Sequence, residues 1–296
     1  MKSPTGLIVH AGIALMLGLL AAPASAGPYT VGGATQSLIS DSGSWAWNGS
    51  FLTGLRGALQ NPVDFGPSGI VNRTIQTTDL TFVNGASLSG LNMFVGTWIS
   101  DAQAAPIDAA VKSFFLGGGD LFLLQDDSGH DGLGASLGIS TTASTGTVSN
   151  GGTPLFNGPF GTAHNVKQFY LTGQLDGSAI SAHGGHVGGT NVEGQITSAF
   201  WKAGEYAPGA GSLFIVADID MIATTTACGL PLCGASYSPL NDNGVYALNT
   251  FSFLETNGGT PPVPEPGTFG LMLAGLGALG VINRRRCQST RPVPPA

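Results

Sequence analysis

Six consecutive residues, Gln125-Asp126-Asp127-Ser128-Gly129-His130, bring together a hydroxyl, an imidazole and two carboxylates. That set can activate a hydroxyl nucleophile: Ser128 attacks, His130 or the more distant His164 takes its proton, and Asp126 or Asp218 orients the base. No Gly-x-Ser-x-Gly surrounds Ser128, however, and Ser, Asp and Gly are also the residues of any exposed turn. The first expectation is therefore a solvated ligand-facing loop, Asp126, Asp127, His130, Asp131 and Asp218 being its candidate contacts. An extracellular hydrolase using Ser128 or the Asp126/Asp218 carboxylates is the alternative. The acidic oxygens of this loop suit calcium, but their spacing is not that of a calcium loop. No cofactor or resident metal is expected, with calcium the exception to test.

Other chemistry-bearing residues read more plainly. His183-Gly-Gly-His186 has no acidic residue until Glu193 and is expected to be a turn. Asp218 and Asp220 alternate after an apolar run, which would put both carboxylates on one side of a strand, as caps or loop anchors. Trp45, Trp47 and Trp98 are core aromatics or a sugar-stacking platform. Cys228 and Cys233 bracket four residues and are expected to form a local disulfide in an oxidising compartment. Zinc would need two more ligands nearby, and redox chemistry would prefer a closer pair.

The elements that must position these groups follow from hydropathy. Gly27 to Ser44 reads as an extended lead-in. A helix is expected from about Gly49 to Gln60 and a strand over Ile70 to Thr78. Leu91 to Trp98 is an apolar run of strand length, Ser100-Asp101 opens a helix that Gly117-Gly118-Gly119 stops, and Asp120 to Gln125 is a second apolar strand. Strand, helix and nearly all-apolar strand make a βαβ unit of a parallel sheet. Residues 140 to 163 read as a surface excursion. Short strands are expected over Val166 to Leu171, Ile180 to His183 and Ser198 to Lys202, a buried strand over Gly211 to Ile219, and a helix capped by Asn241-Asp242-Asn243.

Both ends of the chain differ from this body. Lys2, the apolar Leu7 to Leu20 and Ala24-Ser25-Ala26 read as a signal peptide over residues 1–26. Near the other end come Pro264-Glu265-Pro266, an apolar stretch from Phe269 to Ile282, and Arg284-Arg285-Arg286. Fourteen helical residues span about 21 Å, short of the roughly 20 residues a bilayer core requires. Glycines at 270, 275, 277 and 280 weaken the helix further. A transient membrane segment fits, with the three Arg held on the cytoplasmic side.

This three-part tail resembles the PEP-CTERM sorting signal. The resemblance implies an exosortase-type membrane enzyme as processing partner, an inner-membrane intermediate, and a final place at the surface or in the extracellular matrix of a Gram-negative bacterium, with exopolysaccharide as a possible matrix partner. All seventeen acidic residues lie between Asp41 and Glu265 with only five of the ten basic ones, a net charge of −12 for that stretch. So acidic a body disfavours nucleic acid.

The body from 45 to 256 resembles the class I glutamine amidotransferase-like, flavodoxin-like domain in its order of parts. The residues carrying the likeness are Gly117-Gly-Gly-Asp-Leu-Phe-Leu-Leu124, Pro154-Leu-Phe-Asn-Gly-Pro-Phe-Gly161, Ala217-Asp218-Ile-Asp220 and Asn241-Asp-Asn-Gly-Val-Tyr-Ala-Leu-Asn249. The resemblance implies an α/β, three-layer domain with a mostly parallel sheet and a Gly/Ser-rich β insertion. The family's enzymes place a Cys nucleophile in the turn occupied here by Gln125 to His130, and a His after the strand that ends at Ile219; neither is present, so no glutamine hydrolysis is expected. Residues 257–268 then form a Pro/Gly linker, 269–286 the hydrophobic helix with its Arg cluster, and 287–296 a polar tail. The resulting expectation is an exported, non-catalytic envelope or matrix protein.

Overall fold

The structure is a computed structural model that describes residues 27–38, 43–168, 172–223 and 241–258. The expected signal peptide, the Cys228–Cys233 pair and the sorting tail with Pro264, Glu265, Pro266, Arg284, Arg285 and Arg286 lie outside the described residues. So does the end of the strand expected over Val166 to Leu171. Among the described residues no helix is long and apolar enough to cross a membrane.

The protein is mixed α/β, with a largely parallel central sheet. Strands β1 (Tyr29–Ala34), β2 (Ile75–Leu80), β3 (Met93–Thr97) and β4 (Asp120–Leu124) come first in the chain. They are followed by β5 (Thr141–Ala143), β6 (Val148–Asn150), β7 (Asn157–Gly158), β8 (Gly161–Thr162), β9 (Val166–Lys167), β10 (Gly173–Leu175), β11 (His186–Asn191), β12 (Ile196–Trp201) and β13 (Leu213–Val216). The sheet runs β2-β1-β3-β4-β13-β12-β11-β6-β9, with β10 and β5 branching from β12. Its first five strands are mutually parallel; β12, β11, β6 and β9 extend it antiparallel.

Every residue of β3, β4 and β13 is buried, as expected of strands covered on both faces. The helices, numbered in chain order, are α1 (Thr53–Leu59), α2 (Gly85–Leu88), α3 (Asp101–Ala104), α4 (Asp108–Leu116), α5 (Gly132–Ser136), α6 (Gly177–Ala182) and α7 (Asp242–Asn257). One face of the sheet, carrying Val31, Met93, Val95, Phe122, Leu124 and Phe214, packs on α1 and α7. The other, carrying Phe94, Leu121, Leu123 and Ile215, packs on α2 to α6.

Several expectations change. The stretch expected as a lead-in contains β1, a central strand between β2 and β3. Its Thr-Val-Gly-Gly-Ala run hides the signal because neighbours supply the side chains. A Cβ on Gly32 would meet Leu91 Cδ1 at 2.6 Å, and one on Gly33 would meet Trp47 Cγ at 2.5 Å. The strand expected over Ile70 to Thr78 is displaced to Ile75–Leu80, leaving Ile70 half exposed. The helix expected from Ser100 to Phe115 is broken into α3 and α4, because Pro106 has no N–H to continue the ladder. It stops where expected: Gly118 adopts φ +101° and its N–H reaches Phe115 O at 3.0 Å.

Ile180 to Ala182 lie in α6 and His183 is its C-cap, so the stretch is not a strand. A short apolar run does not distinguish the two, and here Asp176 caps the helix by accepting from Ser178 N at 2.9 Å. The surface excursion of 140 to 163 is instead tied down by β5 to β8, with Leu155 and Phe156 fully buried in the core.

The closing helix begins as expected, with the Asn241 side chain accepting from Gly244 N at 2.7 Å. It also clamps the β7–β8 hairpin. Fully buried Asn249 accepts from Phe160 N at 3.0 Å and donates to Gly161 O at 2.9 Å. Replacing Asn249 by Leu removes both bonds and strands two backbone groups. A loss of about 2 kcal/mol is expected, readable as a lower urea midpoint; an unchanged midpoint would show that the hairpin is held by other contacts.

Candidate functional site

The parallel strands β1, β3, β4 and β13 all end on the same side of the molecule, and their order reverses between β1 and β3. Open α/β sheets take ligands at such a reversal, outside the carboxyl ends of the strands. Trp98, the residue after β3, has φ +39° and is the one non-glycine residue with positive φ among the described residues. For a bulky side chain that conformation costs about 1–2 kcal/mol. Its N–H nonetheless continues the ladder to Leu124 O at 3.0 Å. Its indole stacks on His130, with ring centres 4.0 Å apart and planes 8° apart, and Trp45 lies 5.9 Å away. One residue on, Ile99 lines a mainly apolar cleft of about 220 Å³ with Ala34, Leu38 and Ile107.

The loop after β4 is fixed from within. Asp127 Oδ1 accepts from Gly129 N at 2.6 Å and lies 3.0 Å from His130 Nδ1. Beneath it, buried Gln125 donates to Asp131 O at 3.1 Å and accepts from Thr141 Oγ1 at 2.7 Å. Asp131 Oδ2 takes Thr141 N at 2.6 Å. Asp101 N reaches Gly129 O at 3.0 Å, joining the loop to the start of α3. Replacing Asp131 by Ala frees Thr141 N in a buried position. A loss of about 2 kcal/mol is expected, together with faster amide exchange at Thr141; unchanged exchange there would remove Asp131 as the loop's anchor.

Two carboxyls at the strand ends are held away from their ordinary ionisation. Burial pushes Asp126 up to about 8, with the neighbouring charges of Asp220 and Asp127 adding to it and the adjacent Trp98 indole N–H opposing. Burial also pushes Asp220 up to about 7. Asp126 therefore largely keeps its proton at neutral pH and can both donate and accept.

Several polar atoms here are buried without a hydrogen-bond partner among the described residues: Trp47 Nε1, Thr97 Oγ1, Trp98 Nε1 and Asp126 Oδ1. The indole of Trp98 thus flanks the Asp126 carboxyl without closing a hydrogen bond to it. Strand alternation puts Thr97 on the face of Met93 and Val95, the face on which Trp47 covers Gly33. Asp126 continues the Phe122 and Leu124 series on that same face.

Of the residues expected from sequence, Asp126, Asp127 and His130 do come together at the strand ends. Ser128 is exposed, and the partner of His130 Nδ1 is Asp127. His164 lies in the exposed segment between β8 and β9; its neighbour Asn165 N bonds Asp242 Oδ2 at the start of α7. Asp131 turns its carboxylate to Thr141 instead of the loop's open side. Asp218 and Asp220 do not alternate along a strand, because the chain turns into a 3-10 helix at Ile219–Met221. Asp218 caps that turn by accepting from Asp220 N at 2.9 Å, and the Asp220 charge is one of those that raise Asp126.

His183 stacks on Tyr206, while His186 Nε2 lies 3.1 Å from Glu205. No cluster of three or more His, Cys, Asp or Glu able to hold a metal occurs among the described residues. Trp47, expected from sequence as a core aromatic or part of a stacking platform, is fully buried; Thr97 was not legible, since neither its strand position nor its residue type announces an unpaired buried atom.

No curated protein sequence matches the chain. Among solved structures it is similar to the mmIFT52 N-terminal domain, at 14% identity over 77% of this chain and 97% of that one, with a TM-score of 0.46. It is also similar to the exo-beta-1,4-mannosidase Op5Man5 from Opitutaceae bacterium strain TAV5, at 11% identity over 78% of this chain and 36% of that one, with a TM-score of 0.42. A third is the cytoplasmic protein STM3548 from Salmonella typhimurium, at 12% identity over 68% of this chain and 86% of that one, TM-score 0.42. These likenesses carry no functional argument, and they lend the amidotransferase-like reading of the body no support. Residues 262–286 match the PEP-CTERM protein-sorting motif, and with it the chain carries the signal by which exosortase sorts a protein to the cell surface.

Proposed function

We propose that the protein is an exported, non-catalytic surface or matrix-associated binding protein that takes its ligand at the carboxyl ends of β1, β3 and β4. The observation that carries this reading is the Trp98 corner, where a strained indole, a ring stack and unpaired buried polar atoms meet at the strand-order reversal. The order β2-β1-β3-β4-β13 of the parallel strands supports a three-layer, flavodoxin-like body. In the turn where amidotransferases keep a Cys, this chain has Asp126 to His130, which argues for binding over catalysis. On this reading residues 1–26 are removed on export, the tail is cleaved after membrane insertion, and Cys228 and Cys233 close a disulfide loop. Matrix exopolysaccharide is the partner such a protein meets at its destination.

A hydrolase is the second reading, favoured by one observation: a carboxyl raised to about 8 beside another raised to about 7 is the pattern of an acid–base pair. The two separate on purified mature protein incubated with matrix polysaccharide isolated from the host. Co-sedimentation without release of reducing ends supports binding; turnover that disappears in Asp126→Asn supports the hydrolase. For the address, deleting residues 269–286 is expected to leave an unprocessed, periplasmic or secreted product of different mass. Fractionation and mass identical to the wild type, apart from the deletion itself, would remove the sorting step from the account.

A further inference from the structure

Resting on the sorting and export reading above, we propose that the face holding the amino ends of the parallel strands is the membrane-facing surface of the protein before its tail is cut. A phospholipid bilayer is the partner of that face, and the carboxyl ends that carry the candidate site point away from it. β1, β2, β3, β4 and β13 all begin on this face, at Tyr29, Ile75, Met93, Asp120 and Leu213. The two ends of the described body converge there. Tyr29, two residues after Gly27, donates its hydroxyl to buried Asp120 at the head of β4. α7 runs back along the sheet to the same place: Asn257 O accepts from Ala203 N at 3.2 Å, and a Cβ on Gly258 would collide with Asp120 Oδ2. Arg73, just ahead of β2, pairs with Glu255 of the last turn of α7 at 3.3 Å. The apolar stretches 7–20 and 269–282 are therefore both tethered to one corner of the body.

Reach fixes which way the body faces. Phe269 follows Gly258 by eleven residues, and a chain of that length spans at most about 40 Å when fully extended. A body of this size is itself about 40 Å across. A tether leaving the amino-end face cannot run round the body and also let the opposite end touch the bilayer. The surface agrees with the tether. Val63 and Ile70, in the loop that enters β2, are joined by Ile70 N to Val63 O at 3.0 Å, and both side chains are exposed. Leu116, the last residue of α4, is a third exposed apolar side chain at this end. Such groups gain free energy on entering the boundary between headgroups and acyl chains. The carboxyl end carries Asp101, Asp127 and Glu193 instead, charges that an anionic bilayer repels.

The test is photo-crosslinking of the full chain, tail uncut, in vesicles of phosphatidylethanolamine and phosphatidylglycerol. Benzoylphenylalanine replaces one residue at a time: Val63 or Leu116 at the amino end, Phe82 or Val192 at the carboxyl end. All four side chains are exposed, so the body tolerates the probe at each, and the two pairs differ in the end of the sheet they occupy. Vesicle flotation first reads whether the tail enters the bilayer. Lipid adducts are expected to be severalfold more abundant from Val63 and Leu116 than from Phe82 and Val192. Adducts as abundant from Phe82 and Val192 overturn the orientation, as does the absence of adducts from all four positions in chain that floats; the sorting reading survives either result. Full chain that fails to float removes the membrane step from the sorting reading, and the orientation falls with it.

Discussion

Replacing Trp47 by alanine is expected to lower the unfolding free energy by about 4 kcal/mol, in the range found for deleting a large buried aromatic. Trp47 is fully buried and packs where a Cβ of Gly33 would stand, so its indole is the side chain that β1 itself lacks. Arg56 closes over the other side of the ring. Removing it leaves a void against the middle of the parallel sheet, which a two-glycine strand cannot collapse to fill. Urea denaturation of the mature protein reads the loss directly. The reciprocal change, Gly33→Val, is expected to be about as damaging, because the new side chain collides with the indole. A loss below about 1 kcal/mol for Trp47→Ala would mean that residues 29–34 are not held as a central strand.

The second large effect is on pH. In the native protein Asp126 is raised to about 8, Asp220 to about 7 and Asp120 to about 6, against an ordinary value of 3.8. For Asp120 the leading cause is again burial, opposed by hydrogen bonds from Tyr29 and Ser212. A carboxyl whose native pKa is raised binds more protons folded than unfolded across that interval. Its contribution is therefore greatest below about pH 4 and is lost as pH rises through the native value. The stability of the body is expected to fall between pH 5 and 8.5, opposite in sign to a protein held by salt-bridged carboxylates.

Asp126→Asn, which removes the charge that must be buried, is expected to stabilise by about 2 kcal/mol at pH 8.5 and to change little at pH 5. The figure is kept well below the full shift because Asp126 is only half buried and solvent relieves part of the penalty. Chemical denaturation at the two pH values decides it. Parallel stability curves for Asp126→Asn and the wild type would show that the carboxyl is ionised in the native state without cost.

The central β3, α3–α4 and β4 block was legible because strands buried on both faces must be apolar throughout and the helix between them carries its stop in Gly117 to Gly119. Asn241 was legible for a similar reason: a cap is a local bargain between one side chain and nearby N–H groups. β1 was not, because the bulk filling its faces belongs to Leu91 and Trp47, far along the chain. The break at Pro106 had a signal that periodicity overrode. Asp176 before Gly177 and Ser178 was a cap signal for α6, but the apolar positions that followed suited a strand as well. In the site, the loop from Asp126 to Asp131 was legible as the carboxyl end of a strand, whereas the division of labour inside it was not. Asp131 serves Thr141 and Asp218 serves Asp220, bonds that depend on where distant segments arrive.

What the sequence determined by itself is the address: Pro264-Glu265-Pro266, the apolar stretch and the Arg cluster form a linear signal whose parts act in chain order. It also determined the parallel centre of the sheet, through runs of apolar residues that have no alternative to burial. The tertiary structure alone decided that a glycine-rich segment is a core strand, and that Trp98 stands strained at the end of β3. It also decided that the chain turns into a 3-10 helix at Ile219–Met221, so that Asp218 caps Asp220 N where the sequence suggested two carboxylates alternating along a strand. Each of these depends on groups separated by tens of residues sharing one desolvated volume, and no local pattern of residue types encodes that.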